Sequence, residues 1–198
     1  MPKLVDITSQ RRAIAGAAIS VINDVGLDGA RLRDVARAAN VTTGAVTHYF
    51  DDKDAVVEAA LEEVVRRILA KQERAGTKRM DVRTFIRQAC SYLPLDAEGR
   101  QEWRVWLAFW GRAIADERLR ALHRQYYAAI VGRLVDLLPS IRKASRRQLT
   151  RCADAVIAAI DGVGVRATLE PELWPPRRQR ETLAGLLLPV LTEFAEEK

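Results

Sequence analysis

The segment from residue 32 to residue 53, LRDVARAANVTTGAVTHYFDDK, limits the possible folds of this chain more than any other part of the sequence. Apolar residues recur at helical spacing over two short stretches, residues 32–39 and 46–50. Between them, Asn40 suits the left-handed backbone that ends a helix, and Thr42 can cap the N-terminus of the next helix. The segment therefore predicts two short helices joined by a tight turn, which is the geometry of a helix-turn-helix.

The second of these helices has an outer face of small and mostly polar side chains. Val46 and Phe50 lie four residues apart on its apolar face, so the opposite face is left to Thr43, Thr47 and His48. Such a helix fits the major groove, about 12 Å wide, where threonine and histidine side chains can reach base edges. The alternative is a pair of packed helices without a DNA-binding role, since short helix pairs with a polar face are common.

Residues 43–50, TGAVTHYF, follow an apolar helical pattern through Ile14, Ala18 and Val21, and this combination resembles the TetR family of repressors. The resemblance implies an all-α protein with a three-helix helix-turn-helix DNA-binding domain at residues 1–53. A helical ligand-binding and dimerisation domain would follow at residues 54–198. The resemblance further implies that Thr43, Gly44, Ala45, Thr47 and His48 approach DNA, that Tyr49 lies at the sugar-phosphate chain, and that Lys53 meets a phosphate.

Two positions depart from the commonest pattern of that family. The family often has lysine at the position of Thr43 and serine or threonine at the position of Arg31. We therefore expect a phosphate contact from Arg31, at the start of the second helix, in place of one from the third helix. Arg31 and the capping residue Thr42 complete the predicted set of DNA-binding residues.

The length and charge of the chain agree with this interpretation. A chain of 198 residues can form two domains, and its net charge of +6 favours an anionic partner such as nucleic acid. The two cysteines, Cys90 and Cys152, lack metal-ligand spacing and predict small buried residues in a reducing compartment. No run of about 18 uncharged apolar residues occurs, so no membrane span is predicted and we expect a cytoplasmic protein.

Half of the aromatic residues lie between positions 101 and 137, and this concentration indicates a pocket. The candidate ligand-binding residues are Trp103, Trp106, Phe109, Trp110, Tyr126 and Tyr127. Aromatic walls suit a flat apolar ligand or a quaternary ammonium, which is attracted to ring faces. A cationic ligand also requires a nearby carboxylate, for which Glu102, Asp116 and Glu117 are candidates by sequence proximity. The alternative is plain core packing, the commoner role of aromatic residues at helical spacing.

Residues 104–122 and 155–171 extend the resemblance beyond the first domain. Their sequences, RVWLAFWGRAIADERLRAL and AVIAAIDGVGVRATLEP, are similar to the C-terminal domain of the BetI-type branch of the TetR family, repressors of choline-to-betaine metabolism. Effector pockets diverge readily in such proteins, so the resemblance leaves the effector unidentified, with choline or a related amine as one candidate. It implies neither a cofactor nor a metal.

The last two predicted helices each carry an apolar stripe. One stripe consists of Val156, Ile160, Val163 and Ala167, and the other of Leu183, Leu186, Leu187, Val190, Leu191 and Phe194. The resemblance implies that these helices pair with their copies in a second subunit, giving a homodimer whose two-fold symmetry matches a palindromic operator. Folding of the single chain could use the same stripes, and that alternative stays open.

These patterns together lead to the hypothesis of a homodimeric repressor that a small-molecule effector releases from a palindromic operator. A long predicted helix at residues 52–73 joins the two domains and is expected to carry the signal. One alternative is a ligand-free helical adaptor dimer. A second, an all-α enzyme, has little support: the two histidines are His48 and His123, of which His123 is expected at the surface, and no nucleophile or phosphate-loop motif occurs.

Overall fold

The computed structural model describes residues 7–74, 80–141 and 144–193, and the described residues confirm the all-α class, with helices and no strand. The helices are α1 (Ile7–Gly29), α2 (Leu32–Ala38), α3 (Thr43–Tyr49), α4 (Lys53–Arg74), α5 (Val82–Cys90), α6 (Ala97–Ala113), α7 (Glu117–Leu137), α8 (Arg146–Leu169) and α9 (Pro176–Glu193). A short 3-10 helix, Leu138–Ser140, follows α7. Helices α1 to α3 form the head, and α4 to α9 form the body.

The turn between α2 and α3 has the predicted chemistry. Asn40 adopts a left-handed backbone with φ of 55°, and the Val41 amide donates back to the Ala36 carbonyl at 2.9 Å. The Thr42 hydroxyl oxygen accepts a hydrogen bond from the Ala45 amide at 3.1 Å, which caps the N-terminus of α3. The local sequence thus determines where α2 ends and where α3 begins.

Two apolar clusters hold the protein together. The N-terminal core joins α1, α2, α3 and α4 to α6 and α7, and includes Ile14, Ile19, Val46, Leu61, Val64 and Phe109. The C-terminal core joins α5 to the later helices, and includes Phe85, Trp103, Val156, Leu183 and Leu187. Because α6 contributes to both clusters, it connects the packing of the head with that of the body.

Helix α4 runs from the head into the body, as the sequence predicted. It begins one residue later and ends one residue later than the predicted range 52–73. Its first half is buried in the N-terminal core through Val56 and Ala60, and Ile68 lies further along its length. At its first residue, the Lys53 ammonium donates to the Asp28 carbonyl at 2.8 Å, which ties the start of α4 to the end of α1.

Trp103 on α6 lies directly against the backbone of α8. A Cβ atom added at Gly164 would overlap the indole ring of Trp103, so only glycine permits this approach. The Trp103 indole nitrogen donates to the Tyr92 carbonyl at 2.7 Å. The close approach at Gly164 is thus made by a tryptophan side chain of α6.

The two apolar stripes of the last helices are used mainly inside the subunit. Val156, Ile160, Val163, Ala167, Leu183, Leu187 and Leu191 are all buried in the C-terminal core of a single chain. Leu186 differs, with 47% of its surface exposed, and Phe194 lies outside the described residues. An adjoining face of the same helices stays uncovered, with Leu169 at 69% exposure and Gly162 open to solvent. The stripes therefore serve the folding of the single chain.

Candidate DNA-reading surface and ligand cavity

Helix α3 presents the predicted polar face to solvent. Thr42, Thr43, Gly44, Thr47 and His48 are exposed, whereas Val46 on the opposite face is fully buried. Ala45 and Tyr49 are half-buried at the border between the two faces. The residues predicted to approach DNA are thus brought together on one side of a single helix.

Within α3, the threonine and histidine side chains have defined neighbours. The Thr47 hydroxyl donates to the Gly44 carbonyl at 3.2 Å. The His48 ring stands nearly edge-on to the Tyr49 ring, with centroids 5.1 Å apart. These contacts limit the rotamers of the exposed side chains before any partner arrives.

Two basic residues, one before α2 and one after α3, differ in their exposure to solvent. Arg31, the residue before α2, is exposed. Lys53 is half-buried, and its ammonium already has the Asp28 carbonyl as a partner. An ammonium has three donors, so this bond leaves capacity for a phosphate oxygen.

A cavity lies in the body where α4, α6, α7 and α8 meet. Its volume is about 60 Å³, well above the roughly 10–15 Å³ that one water molecule requires. The lining residues are Ile68, Tyr92, Glu102, Trp103, Trp106, Trp110, Tyr127, Ile130, Leu134, Ile157, Ile160 and Asp161. A mostly apolar wall with two carboxylic acids is therefore enclosed within the body.

Four of the six predicted aromatic residues line this cavity, namely Trp103, Trp106, Trp110 and Tyr127. Phe109 and Tyr126 do not line it, and both are buried in the N-terminal core. Each of them is adjacent in sequence to a lining residue, and successive residues of a helix point about 100° apart. The sequence thus identified the region of the cavity but assigned two packing residues to its wall.

Neighbouring rings of the cavity are set at different angles: two pairs are nearly perpendicular, and two others, Trp106 with Trp110 and Trp110 with Tyr127, are tilted at 45° and 52°. Trp103 and Trp110 have centroids 6.2 Å apart and planes at 88°. Trp106 and Tyr127 have centroids 5.9 Å apart and planes at 83°. Clusters of aromatic rings around one volume resemble the aromatic cages that bind quaternary ammonium ligands.

Asp161 is the acidic residue that sequence reasoning missed. Its Oδ2 accepts a hydrogen bond from the Tyr127 hydroxyl at 2.8 Å. Burial raises the pKa of Asp161 to about 6, against the lowering effect of that hydrogen bond. The available signal was an aspartate directly after Ile160, inside the apolar run of α8, where an unpaired charge is costly.

Glu102 is the one member of the three predicted acids that lines the cavity. Only 6% of its surface is exposed, and burial raises the pKa of its carboxyl while the Lys71 ammonium lowers it. Asp116 instead caps α7, accepting hydrogen bonds from the amides of Arg118 and Leu119. The third acid, Glu117, forms ion pairs with arginines of the α7 surface.

His123 is not the solvated surface residue that the sequence suggested. Its ring is half-buried and stacks on Tyr127, with centroids 4.2 Å apart. Burial lowers the pKa of the imidazole, and the nearby Arg124 lowers it further. We therefore expect a neutral ring behind the Tyr127 wall.

The cavity adjoins a depression of the protein surface. A shallow depression lined by Ile114, Arg120 and His123 shares three residues with the cavity. These shared residues are Trp110, Tyr127 and Asp161, so they separate the cavity from the surface.

The described residues contain neither a cluster of metal ligands nor a membrane-spanning helix. No group of three or more histidine, cysteine, aspartate or glutamate side chains there could hold a metal ion. None of the helices in those ranges is both long and apolar enough to span a membrane. Both cysteines are free and buried.

Known proteins match both parts of the chain. The family model described as bacterial regulatory proteins, tetR family, matches residues 14–60. The model described as BetI-type transcriptional repressor, C-terminal, matches residues 78–191. A curated HTH-type transcriptional regulator BetI from Paraburkholderia xenovorans is 34% identical over 179 residues, covering 87% of this chain and 88% of the relative.

Solved structures share the fold over nearly the whole length. A transcriptional regulator from Rhodococcus sp. RHA1 superposes with a TM-score of 0.80 at 28% identity, covering 92% of this chain and 96% of that one. A regulator from Saccharomonospora viridis, crystallised in complex with choline, gives a TM-score of 0.71 at 21% identity, with 91% and 96% covered. The chain therefore belongs to the TetR family of DNA-binding transcriptional regulators, which are not enzymes, and is a BetI-type repressor.

Proposed function

We propose that this regulator is a homodimer that represses transcription from a palindromic operator and releases it when a quaternary ammonium effector enters the body cavity. The observation that carries the effector class is the combination of four aromatic rings with Glu102 and Asp161 in one enclosed volume. A cation inside it gains from the ring faces, by about 0.5–2 kcal/mol per favourable contact, and from the carboxylates. A neutral apolar ligand would leave the acids uncompensated.

We assign contact with the cation to Trp103, Trp106, Trp110 and Tyr127, and packing to Phe109 and Tyr126.

The effector should also carry an oxygen. The indole nitrogen of Trp110 is buried and donates to no residue that the structure describes. An unpaired buried donor costs about 1–3 kcal/mol, which a ligand oxygen would recover.

Choline is the first effector to test. It combines a trimethylammonium group with one hydroxyl, which matches the cluster of aromatic rings and the unpaired indole donor. The Saccharomonospora viridis regulator, a relative in fold, was solved in complex with choline. A small effector also suits a cavity of about 60 Å³.

We assign the DNA contacts to α3 and its flanks. The proposed set is Arg31, Thr42, Thr43, Gly44, Ala45, Thr47, His48, Tyr49 and Lys53. Thr47 and His48 are exposed in the middle of the polar face and suit base edges, whereas Arg31 and Lys53 suit phosphates. Because its target is chromosomal DNA, we place the protein in the cytoplasm.

We assign dimerisation to the uncovered face of α8 and α9. This face includes Ala158, Gly162 and Leu169 on α8 and Gly185 and Leu186 on α9, which are small or apolar and exposed in the single chain. No side chain lies near the position of a Cβ atom at Gly162 or Gly185, so a partner helix can come close there. Two copies related by two-fold symmetry would place two α3 helices on a palindrome.

The effector must favour one arrangement of the dimer over the other. It releases DNA only if it binds the arrangement that does not fit the operator more tightly, and about 1.4 kcal/mol of preference gives a tenfold shift. Helix α4 is the proposed connection, because Ile68 lines the cavity and Lys53 is hydrogen-bonded to the end of α1.

The proposal is tested first by selecting bound sequences from random duplex DNA with the purified protein at moderate salt. An enriched palindrome is the expected result. Choline is then titrated against the protein bound to that palindrome, and release of the duplex is expected. General, salt-sensitive binding without enrichment would contradict the assigned role of α3.

A matched variant separates effector binding from DNA binding. Asp161→Asn keeps the shape of the side chain and removes its charge, so choline affinity should fall by about tenfold or more while operator affinity stays unchanged. Choline should also raise the thermal stability of the wild type, since a ligand that binds only the folded state stabilises it. A ligand-free adaptor dimer would show neither response.

A further inference from the structure

We propose that Glu102 is the residue that transmits effector binding to α4, because the effector and two cations of α4 compete for its carboxylate. This inference rests on the proposed function, and it gives the two acids of the cavity different roles. Asp161 contributes affinity for the effector, whereas Glu102 contributes both affinity and the response of the DNA-binding head.

The carboxylate of Glu102 faces the cavity on one side and α4 on the other. It lines the cavity. Its Oε2 accepts a hydrogen bond from the Lys71 ammonium at 3.3 Å. Its Oε1 lies 3.7 Å from Nη1 of Arg67, an ion-pair distance, and receives no hydrogen bond from the described residues. The second oxygen is therefore incompletely satisfied and can accept more positive charge.

Arg67 and Lys71 are one turn apart on α4, on the side of the helix that faces α6. Arg67 is shared among several acids, since it also contacts Glu63 at 3.1 Å and Glu98 at 3.1 Å. The second half of α4 is thus attached to α6 by several ion pairs in addition to the apolar packing of Val64 and Val65, whereas the first half has one ion pair with α6, Asp54 to Arg112. Ion pairs respond to an added charge, and apolar contacts do not.

A cation in the cavity changes the balance at Glu102. A buried carboxylate needs positive charge beside it, and in the absence of effector only α4 supplies this charge among the residues described. A quaternary ammonium would supply it from the cavity side and would repel Lys71 and Arg67. The attraction that holds the second half of α4 against α6 would weaken, while the Lys53 hydrogen bond keeps the first residue of α4 tied to the head.

Asp161 lacks this connection. Its hydrogen-bond partner is the neutral hydroxyl of Tyr127 on α7, and no cation contributes to its shifted pKa. Neutralising Asp161 would therefore weaken effector binding without altering the attachment of α4. The two acids provide matched variants with opposite expected behaviour.

The test measures operator affinity of wild type, Glu102→Gln, Asp161→Asn, Lys71→Gln and Arg66→Gln, each without choline and at a choline concentration that saturates that variant. In this proposal the effector releases DNA by competing for Glu102. The ion pairs of Glu102 with Arg67 and Lys71 therefore belong to the arrangement of the dimer that binds the operator. Without choline, Glu102→Gln and Lys71→Gln should bind the operator about tenfold more weakly than wild type. Arg66→Gln, which loses only a pairing with Glu63 within α4, should bind like wild type.

At saturating choline, Glu102→Gln should show less than a twofold further loss of operator affinity, although calorimetry shows that it still binds choline. Asp161→Asn should require a higher choline concentration for saturation. Once saturated, it should lose operator affinity by the same factor as the wild type. Thermal unfolding checks that each variant is folded. If Glu102→Gln does not fold, Lys71→Gln replaces it in the test, because Lys71 is partly exposed and its substitution disturbs the core less.

Two results would overturn the inference. One is choline-driven release in Glu102→Gln equal to that of the wild type. The other is that Lys71→Gln and Arg66→Gln bind the operator with equal affinity in the absence of choline. This comparison needs no effector. If wild type neither binds nor responds to choline while Lys71→Gln still weakens operator binding, the proposed effector is wrong and the ion pairs to α4 retain their role.

Discussion

The DNA-reading surface and the ligand cavity are built in opposite ways. The surface is one short helix, Thr43–Tyr49, with most of its functional side chains exposed. The cavity draws its wall from several helices that are far apart in sequence, and its acids are largely withdrawn from water. The first region recognises a large polyanion and needs only correct presentation. The second recognises a small ligand and needs a shape that the whole body must hold.

This difference predicts where a substitution affects stability and where it affects only binding. In the cavity region, side chains pack against backbone, so a single added methyl group changes the energy of the fold. On α3, an exposed side chain can be truncated without loss of packing.

The largest effect is expected for Gly164→Ala. The new Cβ would overlap the Trp103 ring, so the ring or α8 must move, and the free energy of unfolding should fall by about 3 kcal/mol. The control is Gly111→Ala on α6, where nothing lies within 4 Å of the added atom, and which should stabilise the protein by about 0.5–1 kcal/mol. Denaturant unfolding measures both. Equal stabilities would show that the cavity wall is loosely packed.

The second effect concerns binding alone. The double variant Thr47→Ala with His48→Ala removes two exposed side chains from the polar face and should lower operator affinity about thirtyfold, or about 2 kcal/mol. Its thermal stability should match that of Ser20→Ala, which truncates an exposed hydroxyl on α1. Fluorescence anisotropy with the selected operator measures the affinity. Unchanged affinity would remove both residues from the DNA-reading surface.

The third effect is a pH dependence confined to the cavity. Asp161 must lose its proton to attract a cation, and its pKa is about 6, so choline affinity should fall about tenfold from pH 7.5 to pH 5. Glu102, whose pKa is also raised, would steepen this fall. Burial raises the pKa of the Tyr127 hydroxyl and lowers that of the His123 imidazole, so both shifts favour the neutral group. In Asp161→Asn the dependence should be much flatter, and an equally steep profile would contradict the assignment.

The raised pKa of Asp161 has a matching effect on stability. The folded state binds this proton more tightly than the unfolded state, whose pKa is near 3.8. The resulting stabilisation is present at low pH and is lost as the pH rises through about 6. Bound choline should therefore raise the melting temperature more at pH 7.5 than at pH 5.

The smallest effect is expected at the start of α3. Thr42→Ala removes the hydroxyl that accepts from the Ala45 amide, which should cost about 1 kcal/mol in the stability of this short helix. Thr42→Ser keeps a capping hydroxyl and should behave like the wild type. Hydrogen exchange of the α3 amides measures the local change. Equal protection in the two variants would mean that packing of Val46 alone holds the helix.

The head could be predicted from the sequence because its structure follows from neighbouring residues. Asn40 takes the left-handed turn, Thr42 caps α3, and Val46 and Phe50 face the core, as their spacing indicates. Each of these features depends on residues within about four positions, where propensity and periodicity are informative. The family of the whole chain was also identified correctly from motifs in both domains.

The cavity was predicted only in part, because its members meet across long stretches of chain. Asp161 acquires its environment from Tyr127, 34 residues earlier, and Glu102 from Lys71, 31 residues earlier. Periodicity placed Phe109 with its tryptophan neighbours, yet the rotation of α6 turns it towards the N-terminal core. The stripes of α8 and α9 were seen correctly as apolar, but sequence alone does not tell a subunit core from a subunit interface.

The contact between Trp103 and Gly164 also bears on how effector preference changes during evolution. Where the Trp103 ring packs against the backbone of Gly164, no side chain of α8 is available to truncate, so the cavity cannot be enlarged in that way. Adding a side chain at Gly164 would require α8 or the ring to move. The aliphatic side chains of Ile68 and Ile157, which also line the cavity, carry no such restriction. Related repressors that respond to larger or smaller amines should therefore differ at those two positions while the glycine and the tryptophan are retained together.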